Sequence, residues 1–159
     1  KLRKEIPDIC LRTTLITGFP GETEEDHEIM MQFVNDAEFA RLGGFTYSQE
    51  EDTAAAVMPD QIDEEIKADG QANVMELQQE IAFEKAQNSA GMTVLAMIEG
   101  KVADENAYIA RTYKDAPNVD GYLFINTSRE MMSGDFARVR ITGSYEYDLI
   151  GVLEDEFTE

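Results

Sequence analysis

One cysteine, Cys10, and one histidine, His27, close off much of the chemistry that side chains can do. A four-ligand zinc site cannot be assembled from them, and an iron–sulfur cluster would not find its three or four thiolates within this chain. No internal disulfide can form, which suits a reducing compartment. Cys10 sits between Ile9 and Leu11 and reads as a buried, inert thiol. His27 falls among acids and reads as a solvated surface side chain. Two other patterns carry more chemical promise. In Gly18-Phe19-Pro20-Gly21, two glycines allow close backbone approach, and a helix start just after them offers free N–H groups. In Ser48-Gln49-Glu50-Glu51-Asp52-Thr53, three carboxylates in succession disfavour phosphate and attract Lys or Arg.

The elements that must hold these patterns can be read from periodicity. LRTTLIT (residues 11–17) is aliphatic and β-branched and predicts a buried strand, opened almost directly from Lys1 as in a piece of a longer protein. The glycine–proline run stops it. Thr23 is an N-cap with Asp26 three residues on, a short capping box, and Glu24, Glu25 and Asp26 complement the helix dipole. Ile29, Met30, Phe33, Val34 and Ala37 then recur at helical spacing, predicting a helix over about 24–38. A short strand at Phe45–Tyr47 precedes the acidic loop. A long helix follows from Pro59 and Asp60 to about Asn88, on Ile62, Ile66, Val74, Leu77, Ile81 and Phe83. Gly70 inside it costs about 1 kcal/mol relative to alanine and marks a point of break or bend, and Gly91 is the expected stop. Strand, glycine turn, helix, strand and helix make two βα units, where a complete βα barrel needs eight.

After Gly91 the period changes to alternation. TVLAMIEG, YIARTY, YLFINT, FARVRIT and YDLIGVL are five strand candidates, enough for a small closed antiparallel barrel of the OB kind. The fold class is therefore α/β plus all-β: residues 1–89 as a portion of a βα barrel, and residues 90–159 as a five-stranded OB-like β-barrel. Tyr108, Tyr113, Tyr122 and Phe124 are expected to be mostly core.

Thirty-three acids against thirteen bases give a net charge of −20. Residues 90–159 alone carry thirteen acids and six bases, a net of −7. Nucleic-acid binders draw most of their affinity from Lys and Arg on phosphates, so bulk charge argues against RNA and for a basic protein partner. No apolar run approaches the roughly 20 residues of a membrane span, and no secretory leader precedes the first strand. The expected location is cytoplasmic.

Five motifs in order, LRTTLITGFPGET (11–23), FTYSQEEDTAA (45–55), MELQQEI (75–81), RTYKDAPNVDG (111–121) and ITGSYEYDLIG (141–151), resemble the radical-SAM methylthiotransferase family, in its ribosomal-protein branch. The resemblance covers nearly the whole chain. It implies a C-terminal portion of a radical-SAM βα barrel followed by a TRAM domain. It also implies an enzyme using S-adenosylmethionine and two 4Fe-4S clusters to place a methylthio group on the β-carbon of an aspartate in small-subunit ribosomal protein twelve. The cluster cysteines of that family lie N-terminal to the segment seen here, so catalysis would belong to the parent protein and the segment alone should be inactive. ITGFPGET resembles the strand and turn on the S-adenosylmethionine side, which makes Gly18 and Glu22 candidate cofactor-binding residues. Tyr47-Ser48 is followed by Gln49-Glu50-Glu51-Asp52-Thr53, where the tRNA-modifying branch typically has an arginine-proline-glycine-threonine run. That contrast makes Glu50, Glu51 and Asp52 candidate substrate-recognition residues. Asp115–Gly121 matches the family's DAP-x-VDG loop, read here as a connection between strands. Ala110 stands where family members usually have glycine, and KADGQANV (67–74) is normally richer in arginine. A tRNA methylthiotransferase segment and a non-catalytic RNA- or ribosome-binding module are the rival readings.

Overall fold

The computed structural model describes residues 1–156; Phe157–Glu159, which the sequence assigns to the β-barrel, lie outside the described residues. The elements run α1 (Leu2–Glu5), β1 (Arg12–Thr17), α2 (Glu24–Ala37), β2 (Arg41–Thr46), a 3-10 turn (Ala55–Val57), α3 (Glu64–Gln87), then β3 (Thr93–Lys101), β4 (Ala107–Thr112), β5 (Leu123–Asn126), β6 (Phe136–Tyr145) and β7 (Asp148–Leu153), and a 3-10 turn at Glu154–Glu156. The chain divides into two compact units, Lys1–Ala82 and Phe83–Glu159.

In the first unit β1 and β2 pair in parallel, Arg12 opposite Arg41 through Thr17 opposite Thr46, with α2 as the crossover. The short helix α1 precedes β1, so the chain does not run directly into a strand. The Thr23 capping box forms as expected: the Asp26 N–H donates to Thr23 Oγ1 at 3.2 Å, and the Thr23 N–H donates to Asp26 Oδ2 at 2.9 Å. β1 is not buried on both faces. Arg12, Thr14 and Ile16 point outward and only Thr17 is fully covered. Ile16 is 52% exposed and sits opposite Phe45, 58% exposed, so one face of this two-stranded sheet is uncovered in the unit.

The other face packs on α3, and here hydropathy misphased the helix. Ile66 is 62% exposed. The covered stripe is Lys67, Gly70, Val74, Gln78, Ile81 and Ala82. This stripe is partly polar because α3 lies over carbonyls of β2 and its flanking residues that need donors. Gln71 Nε2 donates to Gly44 O at 2.7 Å, Gln78 Nε2 to Phe39 O at 3.0 Å, and Lys67 Nζ to Tyr47 O at 3.3 Å. The helix runs unbroken through Gly70. A Cβ there would stand 3.3 Å from His27 Cε1 and 3.5 Å from Thr17 Cβ, so the glycine serves close packing rather than a bend. His27 is accordingly no solvated histidine: its side chain is 19% exposed and its ring lies against α3. Cys10 is half-buried rather than fully covered.

The second unit is a closed barrel of order β3-β4-β5-β7-β6. All five sequence-read strands are present. One pair, β5–β7, is parallel (Leu123 opposite Leu149), so the barrel is mixed rather than wholly antiparallel. The reason is topological: β6 and β7 form a hairpin, and β7 then closes onto β5, which points the same way. Its core is Ala96, Ile98, Tyr108, Ala110, Leu123, Ile125, Val139, Ile141 and Leu153. Register shifts at Ile98/Gly100 and Ile141/Gly143 bend β3 and β6 round the barrel. Gly91, four residues after the last residue of α3, does not cap the helix; its N–H donates to Ile141 O at 2.8 Å and leads into β3. Of the four aromatic rings, only Tyr108 is core, and Tyr113 is 64% exposed.

Candidate functional site at the ends of the parallel strands

Because β1 and β2 run the same way, the segments that follow them emerge at one edge of the sheet. The glycine turn follows β1 and the acidic loop follows β2. Phe19 and Tyr47 tie the two together edge-to-face, ring centroids 5.4 Å apart. The Tyr47 N–H donates to Thr17 O at 2.8 Å.

Gly18 has φ +72° and Gly21 φ +85°, a left-handed backbone in which glycine escapes the Cβ penalty. Glu22 folds back on the turn: its Oε2 accepts the Gly18 N–H at 2.9 Å and the Phe19 N–H at 3.4 Å. Its other oxygen lies 3.9 Å from His27 Nδ1, and neither ring nitrogen of His27 makes a hydrogen bond among the described residues. The geometry thus unites Gly18 and Glu22, the Glu22 carboxylate holding the turn's backbone. In the acidic loop, Glu50 Oε1 accepts the Ser48 hydroxyl at 2.6 Å, and Glu50 O accepts the Thr53 hydroxyl at 2.8 Å. Glu51 and Asp52 are exposed, and Asp52 sits at φ +62°. The three carboxylates are therefore presented on a hydrogen-bonded turn rather than on a loose loop.

Sequence reasoning missed Lys67. It is 3% exposed, its Nζ bonds Glu64 Oε1 at 2.6 Å and lies 5.3 Å from the Tyr47 ring centroid, and its stem fills the space a Cβ on Gly18 would need. Its backbone carbonyl accepts the Thr17 hydroxyl at 3.1 Å. One buried cation thus braces both segments. Its position three residues before Gly70 and seven before Val74 was the available signal, had the stripe been phased on small and polar residues.

In the barrel unit Arg111, Arg129 and Arg138 are engaged by acids. Arg111 Nε stands 2.8 Å from Glu99 Oε1, an ion pair rather than an aligned hydrogen bond. Arg129 Nη2 donates to Asp155 Oδ2 at 2.8 Å, and Arg138 Nε to Glu154 Oε2 at 2.6 Å. The 115–121 loop closes on itself: Asp115 accepts the Thr112 N–H and hydroxyl, and Asp120 the Ala116 N–H. The closure suits a connection.

Hydrogen bonds from Arg138, Arg129 and Thr23 hold the Glu154, Asp155 and Asp26 carboxyls, respectively, below their ordinary values. A carboxyl depressed in the folded state adds stability above its unfolded value and loses it as pH falls through the folded one. The melting temperature should therefore drop between pH 5 and pH 3, and drop less in the E154Q/D155N variant. Equal acid sensitivity in the two proteins would remove these carboxylates as its cause.

Residues 90–153 match the TRAM domain family. The chain is 59% identical over 154 residues to the ribosomal protein uS12 methylthiotransferase RimO of Lachnoclostridium phytofermentans, covering 97% of this chain and 35% of the relative. The proteins of the same name from Desulfitobacterium hafniense (47% over 151 residues, 95% of this chain and 34% of the relative) and Clostridium novyi (43% over 156 residues, 98% and 35%) align similarly. The chain thus spans about a third of the length of the curated relatives it matches. With identity at this level along essentially all of its residues, and a TRAM domain closed as a five-stranded mixed barrel, the chain belongs to the RimO-type methylthiotransferase family as a segment of such a protein.

Proposed function

We propose that this chain is the part of a ribosomal-protein methylthiotransferase that completes the βα barrel and receives the substrate protein. The parent adds a methylthio group to the β-carbon of an aspartate in ribosomal protein uS12. The observation that carries the reading is the acidic turn Glu50-Glu51-Asp52 at the same sheet edge as the Gly18–Glu22 turn. A cationic polypeptide drawn to the first would be delivered beside the second.

The two 4Fe-4S clusters belong to cysteines outside this chain: Cys10 is the one thiol, and no group of three or more His, Cys, Asp or Glu side chains is gathered as for a metal among the described residues. S-adenosylmethionine fits the other turn better. Gly21 leaves open space where a Cβ would stand, and Glu22 fixes the backbone N–H groups of Gly18 and Phe19. When bound, that cofactor supplies the radical chemistry, while Gly18 and Glu22 shape its side of the pocket. The exposed Ile16–Phe45 pair supports further barrel strands covering the sheet in the parent. Without them and the clusters, the segment alone is inactive. A cytoplasmic, ribosome-facing role follows from the same substrate.

The TRAM barrel is the second protein-docking surface, and RNA is disfavoured, because Arg111, Arg129 and Arg138 are paired with the barrel's own acids. The test is binding of this chain to purified uS12 and to tRNA at low and moderate salt. The chain should bind uS12, and E50K/E51K/D52K should weaken that binding by about tenfold or more through like-charge juxtaposition. Binding to tRNA alone, falling steeply with salt, would overturn the assignment in favour of the tRNA branch.

A further inference from the structure

Two of the arginine pairs on the TRAM barrel share one feature. Two arginines from different elements, Arg129 after β5 and Arg138 on β6, are met by three consecutive acids of a single 3-10 turn, Glu154–Glu156. Each is joined by a hydroxyl. Glu156 Oε2 accepts the Thr127 hydroxyl at 2.7 Å while Glu156 Oε1 stands 3.2 Å from Arg129 Nη2. Glu154 is bonded by Arg138 and by the Thr93 side chain, with Arg140 adding its field. A guanidinium with a threonine hydroxyl is a donor set that phosphate oxygens also take. Phe136, Arg138 and Arg140 alternate with the core residues Val139 and Ile141 along β6, so all three lie on its outward face, with Phe136 64% exposed. Cations in line with an exposed ring on one strand face are the parts of a single-strand nucleic-acid site.

We infer that the turn Glu154–Glu156 is an intramolecular occupant of a latent phosphodiester-binding site built from Thr93, Thr127, Arg129, Arg138 and Arg140. It is a built-in screen that keeps this barrel off RNA. The inference stands independently of what the acidic loop of the first unit binds. It also differs from plain repulsion by net charge: three particular carboxylates matter, and others of equal charge do not.

The test compares two variants of the 159-residue chain that lose the same charge. E154Q/D155N/E156Q opens the site. D104N/E105Q/E146Q neutralises exposed acids in the β3–β4 and β6–β7 turns. Binding to a fluorescein-labelled mixed-sequence single-stranded RNA is followed by anisotropy over a salt series. The first variant should bind about tenfold tighter than the second, with a salt slope steeper by roughly 1.4 for two newly engaged phosphates. Adding R129Q/R138Q to it should cancel the gain. Melting curves of each variant confirm that the barrel is intact. Equal affinity of the two triple variants, absence of binding by both, or a gain that survives R129Q/R138Q would overturn the inference.

Discussion

Replacing Gly121 with alanine is expected to melt the β-barrel well below the parent, while Gly100→Ala leaves it nearly unchanged. A Cβ on Gly121 would run into the Tyr147 carbonyl oxygen, with Tyr147 C at 2.8 Å and Asp148 Oδ1 at 3.0 Å. Backbone cannot step aside as a side-chain end can. The obstructed segment is the start of β7, where Asp148 Oδ1 accepts the Tyr122 N–H at 2.7 Å and the Leu149 N–H donates to Tyr122 O at 2.8 Å. Those bonds set the parallel β5–β7 pairing that closes the barrel. Overpacking of this kind costs about 1–3 kcal/mol, and each kcal/mol lowers the melting temperature of so small a domain by roughly 4–8 °C. At Gly100 none of the described residues stands within 4 Å of the added atom and the backbone is not left-handed, which makes it the control. Thermal unfolding by circular dichroism reads both. If Gly121→Ala melted with Gly100→Ala, the close approach of the 115–121 loop to β7 would carry no energetic weight.

That close approach shows how far the sequence could be read. The barrel's strands were legible because each alternates, with Val139 and Ile141 inward and Arg138 and Arg140 outward on β6. The parallel pair was not, since alternation fixes which face is inside but not which neighbour a strand finds. In the first unit the Thr23–Asp26 box was legible as local chemistry satisfied within one turn. The buried stripe of α3 was not, because it is chosen by carbonyls of β2 and the residues beside it: Lys67, Gln71 and Gln78 face them to donate, and Ile66 is left outside. His27 was misplaced for the same reason. Its neighbours in sequence are acids, but its neighbour in space is Gly70, which only the fold supplies. The Gly18–Glu22 turn and the 50–52 loop could each be picked out, whereas their meeting at one sheet edge depends on the parallel register.

The brace between them should be visible as a coupling between Gly18 and Lys67. Gly18→Ala faces two penalties. At φ +72° an L-residue costs roughly 1–2 kcal/mol, and the new Cβ overlaps Lys67 Cγ, with Cβ and Cδ of that side chain at 3.0 and 3.1 Å. Lys67 cannot swing away freely, since its Nζ is held by Glu64 and the Tyr47 carbonyl. Lys67→Ala alone removes that brace and leaves the Tyr47 carbonyl without its donor, a cost of about 1–3 kcal/mol. In the double variant the overlap with Cγ and Cδ disappears while the 3.0 Å approach to Cβ remains, so the two losses should fall short of their sum by about 1 kcal/mol or more. Hydrogen exchange of peptides spanning residues 11–25, followed by mass spectrometry, gives the local opening free energy for all four proteins. The φ penalty persists in the double variant, so rescue should be partial. Strict additivity would mean that the turn and the buried lysine are neighbours without being partners, and the glycine would then be explained by its backbone angle alone.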